Sequence, residues 1–96
     1  MTVSNKYRIK RTSAFNKDLK RLIKQGKDLT PLNAVVDLLA AGRQLDPRYL
    51  DHPLSSNWKG FRDCHIAPDW VLLYKIEKDI LVLTLTRTGT HAELEL

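Results

Sequence analysis

Ninety-six residues, 43% of them hydrophobic, suffice for one compact domain over residues 1–96 with a single core. One cysteine excludes an internal disulfide framework, no cleavable leader opens the chain, and no apolar stretch is long enough to cross a bilayer, so a cytoplasmic, non-membrane protein is expected. Sixteen Lys plus Arg against eleven Asp plus Glu give +5, and residues 6–27 hold nine of those bases against Asp18 alone, a field that attracts nucleic acid or an acidic protein segment.

Tyr7 to Lys10 alternate apolar with basic side chains, which predicts a short edge or near-edge strand with one buried face. From Ser13 the period becomes helical: Phe15, Leu19, Leu22 and Ile23 form a stripe between Lys17, Lys20, Arg21 and Lys24. Thr12 or Ser13 should cap this helix and Gly26 should stop it. Thr30 followed by Pro31 predicts the start of a second helix, with Leu32, Val35, Val36 and Leu39 as its apolar stripe and Gly42 at its end. Residues 43–60 have no sustained period and contain Pro47, Pro53 and Gly60; so long a connection in a small domain is often functional.

Three strand patterns follow, near Phe61 to Ile66, Trp70 to Ile76 and Ile80 to Thr86, and the short turns between them require antiparallel pairing. Leu81, Leu83 and Leu85 share one face of the last strand, and Arg87 continues that parity unless a bulge intervenes. The expected fold is α+β: an N-terminal strand, then a two-helix hairpin packed on one face of a twisted antiparallel sheet, which a C-terminal three-stranded meander completes. The opposite face is left for ligand.

Chemistry concentrates in three blocks, DHPL from Asp51, RDCHIAPDW from Arg62 and RTGTH from Arg87. Each contains a histidine, the side chain that titrates nearest neutrality, and arginine binds two phosphate oxygens at once. His52, His65 and His91 beside Asp69, Arg62 and Arg87 therefore point to proton transfer next to a phosphate. Every one of these residues also has an ordinary reading. The histidines can be structural hydrogen-bonding groups, Arg62 and Arg87 can pair with Asp63 or Asp79, and Trp70 can be core. Cys64 reads as a small buried residue, and the histidine spacing lacks a metal-site pattern, so no metal or other cofactor is expected.

The blocks DHPLSSNWKGFRDCHIAPDWVLLYKI and LTRTGTHAEL, in this order and spacing, closely resemble the YafQ-like branch of the RelE superfamily, toxins of bacterial type II toxin-antitoxin pairs. The resemblance implies a RelE-like fold and a ribosome-dependent, metal-independent endoribonuclease that cuts mRNA in the ribosomal A site and is restrained by an acidic, DinJ-like antitoxin. Promoter DNA would be met only through the antitoxin complex. It also implies His52, His65, Asp69 and His91 as catalytic residues, with Trp70 contributing to the site. Arg62 and Arg87, with Lys59 and Phe61, are expected to bind RNA. The family commonly has an aromatic residue after the last histidine, where this chain has Glu95, which cannot stack on a base. Two other classes compete. A ParE-like poison of a DNA topoisomerase, or a non-catalytic RNA- or protein-binding module, would need the basic surface but not the histidine set.

Overall fold

In the computed structural model, which describes residues 5–96, strand β1 (Arg8–Arg11) turns into helix α1 (Ser13–Lys24) at Thr12. The Thr12 side chain accepts the Phe15 N–H at 3.0 Å, satisfying a donor that the first helical turn leaves over. Phe15 and Leu22 are buried, but Ile23 is 60% exposed and leaves the predicted stripe. Helix α2 (Thr30–Ala40) starts one residue earlier than its signal implied: Leu29 is the cap, and Asp28 accepts the Thr30 N–H at 2.9 Å. Gly26 and Gly42, both at φ +77°, end the two helices in the left-handed conformation that a side chain would disfavour.

The sheet contains β1, β2 (His52–Pro53), β3 (Arg62–Ala67), β4 (Trp70–Glu77) and β5 (Val82–Gly89) in the order β1-β5-β4-β3-β2. β3, β4 and β5 form the expected antiparallel meander, and β2 adds an antiparallel edge. β1 lies parallel to β5, so the sheet is mixed; a parallel neighbour needs a long connection, and the intervening helices and strands supply it. α1 rests on β5 and α2 on β3, with the main core between helices and sheet, built on Phe15, Leu22, Val35, Leu72, Tyr74 and Leu85.

Three features of the C-terminal half were not evident in the residue pattern. Tyr74 faces Leu85 but Leu73 faces Arg87, so Thr86 is an extra residue on β5. This bulge moves Arg87 away from the core-facing parity of Leu83 and Leu85 to the other side of the sheet. A short helix α3 (His91–Leu94) then folds back, closed by a reciprocal cap in which Thr90 and Glu93 bond each other's main-chain N–H at 3.1 and 2.9 Å. Its Leu94 packs with Leu54 and Trp58 on Val71 and Leu73. The face expected to be free is thus largely a second small core, and only its margin near β2 and β3 remains for ligand.

Side chains of α1 also take the place of a strand along β5 where β1 ends. Thr12 donates to the carbonyls of Leu85 (3.1 Å, main chain) and Thr86 (2.7 Å, hydroxyl), Arg21 donates to the Thr88 carbonyl (3.1 Å), and Asp18 accepts the Thr88 N–H (3.0 Å). Arg21 belongs to this seam and is not the solvated base its position on the helix implied. A Cβ on Gly89 would lie 2.7 Å from Arg21 Nη2 and 2.9 Å from Glu93 Oε1, on two side chains held in place by the ion pair of Arg21 Nε with Glu93 Oε2 at 2.8 Å. Gly89→Ala is expected to lower unfolding free energy by about 1–3 kcal/mol through overpacking, measured by urea denaturation.

Candidate functional site

Strand register sets out the site. One row across the sheet reads His52, Asp63, Leu73, Arg87, and the next reads His65, Val71, Gly89. Partners in a row share a face, so His52, Asp63 and His65 all stand on the side away from the helices, His52 and His65 being diagonal neighbours roughly 7–8 Å apart. The turn between β3 and β4 brings up Asp69, and α3 brings back His91. The His65 and His91 rings lie 5.2 Å apart, tilted by 57°. His52, His65, Asp69 and His91, expected from three separate blocks, are therefore assembled at one margin of the sheet.

Two of the imidazoles are held by one nitrogen. His52 Nδ1 lies 2.7 Å from the Leu50 carbonyl, which can only accept, so Nδ1 carries the proton. His91 Nδ1 lies 2.9 Å from Asp69 Oδ1, which also accepts the His91 main-chain N–H at 3.2 Å. In both rings Nε2 has no hydrogen-bond partner among the described residues. The His91 ring and then its main-chain N–H hold the Asp69 carboxyl below the usual carboxylate range, so Asp69 is ionised at neutral pH. Asp63, which the sequence had offered only as a mate for Arg62, is buried beneath His52, with Oδ1 lacking a hydrogen bond and 3.5 Å from His52 Nδ1. Its alternation with His65 along β3 was the available signal.

Several expected site residues lie elsewhere. Arg62 opposes Tyr74 on the helix side and binds Asp51 at 3.2 Å, so it does not share the histidine surface. Burial acts to lower its pKa, but the bonds to Asp51 and Tyr74 prevail and raise it. Asp51 also accepts the Tyr74 hydroxyl, and this pair of bonds anchors the chain one residue before His52. Trp70 is 5% exposed in the main core, donating from Nε1 to Thr88 Oγ1 at 2.9 Å with Lys27 over its ring, and a nucleobase cannot reach it. Burial pushes the Cys64 thiol up to about 12, which removes it as a nucleophile.

Arg87, Lys59 and Phe61 are on or beside the histidine face but off its centre. Arg87 ends the first row, three strand spacings or roughly 14 Å from His52. It reaches round the β5 edge to grip Asp18 with two bonds of 2.7 and 3.1 Å. Those bonds raise its pKa, while Glu93 and Glu95 add to the negative field around it. Phe61 meets the edge of Trp58 at 5.4 Å and carries Lys75 over its face at 5.5 Å, and Lys59 is exposed in the β2–β3 connection. Glu95 caps the end of α3 and is exposed. Among the described residues no helix is long and apolar enough to cross a membrane.

Residues 7–96 match the family described as bacterial toxin of type II toxin-antitoxin system, YafQ. The mRNA interferase toxin YafQ of Escherichia coli strain B / BL21-DE3 is 44% identical over 87 residues, which cover 90% of this chain and 92% of the relative. The putative toxin YafQ of Haemophilus influenzae is 30% identical over 105 residues, covering 100% of this chain and 99% of that one. Among solved structures, YafQ from E. coli BL21(DE3) aligns with a TM-score of 0.86 at 42% identity, covering 92% of this chain and 97% of that one. A chain of the E. coli DinJ-YafQ complex gives 0.84 at 43% identity, with the same coverage. A metal-bound toxin from Helicobacter pylori gives 0.86 at 46% identity, covering 92% and 98%. The chain belongs to the YafQ family of toxins of bacterial type II toxin-antitoxin systems, within the RelE-like α+β fold.

Proposed function

We propose that this chain is an mRNA interferase, an endoribonuclease that cuts mRNA in the ribosomal A site by attack of the RNA's own 2′-hydroxyl and so blocks translation. The observation that carries the reading is the gathering of His52, His65 and His91 at one margin, two of them presenting an unengaged Nε2. Cleavage needs a base for the 2′-hydroxyl proton, positive charge beside the pentacoordinate phosphate, and an acid for the departing 5′-oxygen. His52 and His91 are the base and acid in one order or the other. The ionised Asp69 orients the His91 ring and is not itself the acid, which narrows the role expected of it. The carboxylate of Asp63 is placed to attract the imidazolium formed when His52 accepts a proton, and His65 stands between the two, able to face the phosphate. Arg87 binds a flanking phosphate. The relatives named mRNA interferase toxins support ribonuclease activity, and the DinJ-YafQ complex supports a DinJ-like antitoxin as partner. In this reading that antitoxin is acidic and carries the contact with promoter DNA.

The deciding experiment maps new mRNA ends on translating ribosomes supplied with the purified chain. Cuts confined to the A-site codon support the reading; intact mRNA together with DNA breaks would support topoisomerase poisoning instead. Asp69→Ala frees the His91 ring from the bond that orients it and should slow cutting roughly 10- to 100-fold through misplacement of the proton-transfer group. Single-turnover rates on ribosome-bound mRNA measure this, and an unchanged rate would show that Asp69 does not position His91.

A further inference from the structure

β2 begins only at His52, opposite Asp63, so the stretch of β3 from Cys64 to Ala67 has no strand on its outer side. A 3₁₀ turn (Pro47–Tyr49) stands off from it, and the gap is a cavity of about 520 Å³ walled by Pro31, Arg48, Tyr49, Leu50, His65 and Pro68. That size falls in the range of roughly 300–1,000 Å³ typical of small-molecule sites. Three features bear on what it holds. His65 belongs both to the cavity wall and to the histidine cluster, 5.2 Å from the His91 ring. The Arg48 guanidinium lies 4.8 Å from the Tyr49 ring centroid, forming a flat cationic and aromatic pair of the type on which nucleobases stack. The peptide groups of β3 alternate in direction: Phe61 accepts the Leu54 N–H on the outer side, so Asp63 and His65 turn theirs the same way. At His65 no strand lies there to receive them.

We propose that this cavity is a nucleobase subsite, holding a base adjacent to the scissile phosphate and setting the sequence preference of cleavage. The proposal rests on the ribonuclease reading of the histidine cluster. A nucleobase matches each feature: a flat face for Arg48 and Tyr49, and an edge with neighbouring donors and acceptors for the His65 N–H and C=O. Pro31, Leu50 and Pro68 supply apolar walls, and a phosphate attached to a base seated there falls over His65.

The test compares cut-site base frequencies on translating ribosomes for the wild type, Arg48→Ala and Tyr49→Ala. Both variants should still cut, with the wild-type enrichment of one base beside the cut reduced about tenfold. Arg48 is exposed, so its variant folds even where Tyr49→Ala does not. Absence of base preference in the wild type, or the same preference in Arg48→Ala, overturns the subsite while leaving the ribonuclease reading intact. A second readout does not depend on cutting: in the His91→Ala protein, nucleoside 5′-monophosphates should shift the amide resonances of Tyr49, His65 and Ala67. Shifts confined to the basic face of α1 would show polyanion binding alone and overturn the proposal. No cutting by the wild type would defeat the ribonuclease reading and this subsite together.

Discussion

His91→Ala is expected to slow mRNA cutting on translating ribosomes by about 10²- to 10⁴-fold, the usual worth of a general acid or base. The loss should be catalytic and not structural. His91 is the first residue of α3, its side chain is 38% exposed, and alanine is a favourable helix residue. The cap that holds α3 is made by Thr90 and Glu93 and survives the change, so the thermal midpoint should move little. His52→Ala should cause a loss of the same order, because His52 occupies the complementary proton-transfer position. Both variants cutting at the wild-type rate would defeat the assignment; a rate loss matched by a collapse of stability would assign His91 to architecture.

The largest effect on stability is expected at Asp18, far from the histidines. Its side chain is 2% exposed and accepts bonds from Arg87, Arg21 and the Thr88 main chain. Asp18→Ala leaves two guanidinium groups and a strand N–H without their common acceptor. Breaking such a buried pair costs about 3–5 kcal/mol, and the partial exposure of both arginines places this case near the lower end, about 3 kcal/mol. For a domain this size that is a fall of roughly 12–24 °C in the thermal midpoint, readable by calorimetry. Arg87→Ala should cost less, because Asp18 keeps Arg21 and the Thr88 N–H. A change of under 3 °C in Asp18→Ala would show that the seam contributes no stability.

The same carboxyl fixes a pH dependence. Burial acts to raise the Asp18 pKa, but Arg87, the Thr88 N–H and Arg21 outweigh it and hold the value below its ordinary 3.8. A lowered folded-state value means stability that is fully present above about pH 4 and is lost as the pH falls through the folded value. Acid titration of unfolding free energy should therefore steepen below pH 4 in the wild type and be shallower in Asp18→Ala.

Legibility in the sequence followed the range of the interactions concerned. Helices, caps and meander are local, and Phe15, Leu22, Leu32 and Val36 revealed the core by their periods alone. The histidine grouping was partly legible because short turns force β3, β4 and β5 together. Trp70 and Arg62 were harder: both sit in polar blocks, yet alternation turns them to the helix side, where Thr88 and Asp51 satisfy them. Arg87 depended on the Thr86 bulge, which no composition signal marks, and Asp63 required knowing that β2 pairs with β3. The cavity beside His65 was invisible because it arises from an absence, the late start of a two-residue strand.

The way α1 side chains run along β5 also bears on how this chain behaves at high concentration. Unpaired strand edges recruit further strands and seed aggregates. Here the upper part of β5 is closed by Thr12, Asp18 and Arg21, β2 is two residues long and includes Pro53, and the outer edge of β1 carries Arg8, Lys10 and Arg11. Each of these three edges is thus short, plugged or repelled by like charge, so none of them is a ready template for growth into cross-β ribbons.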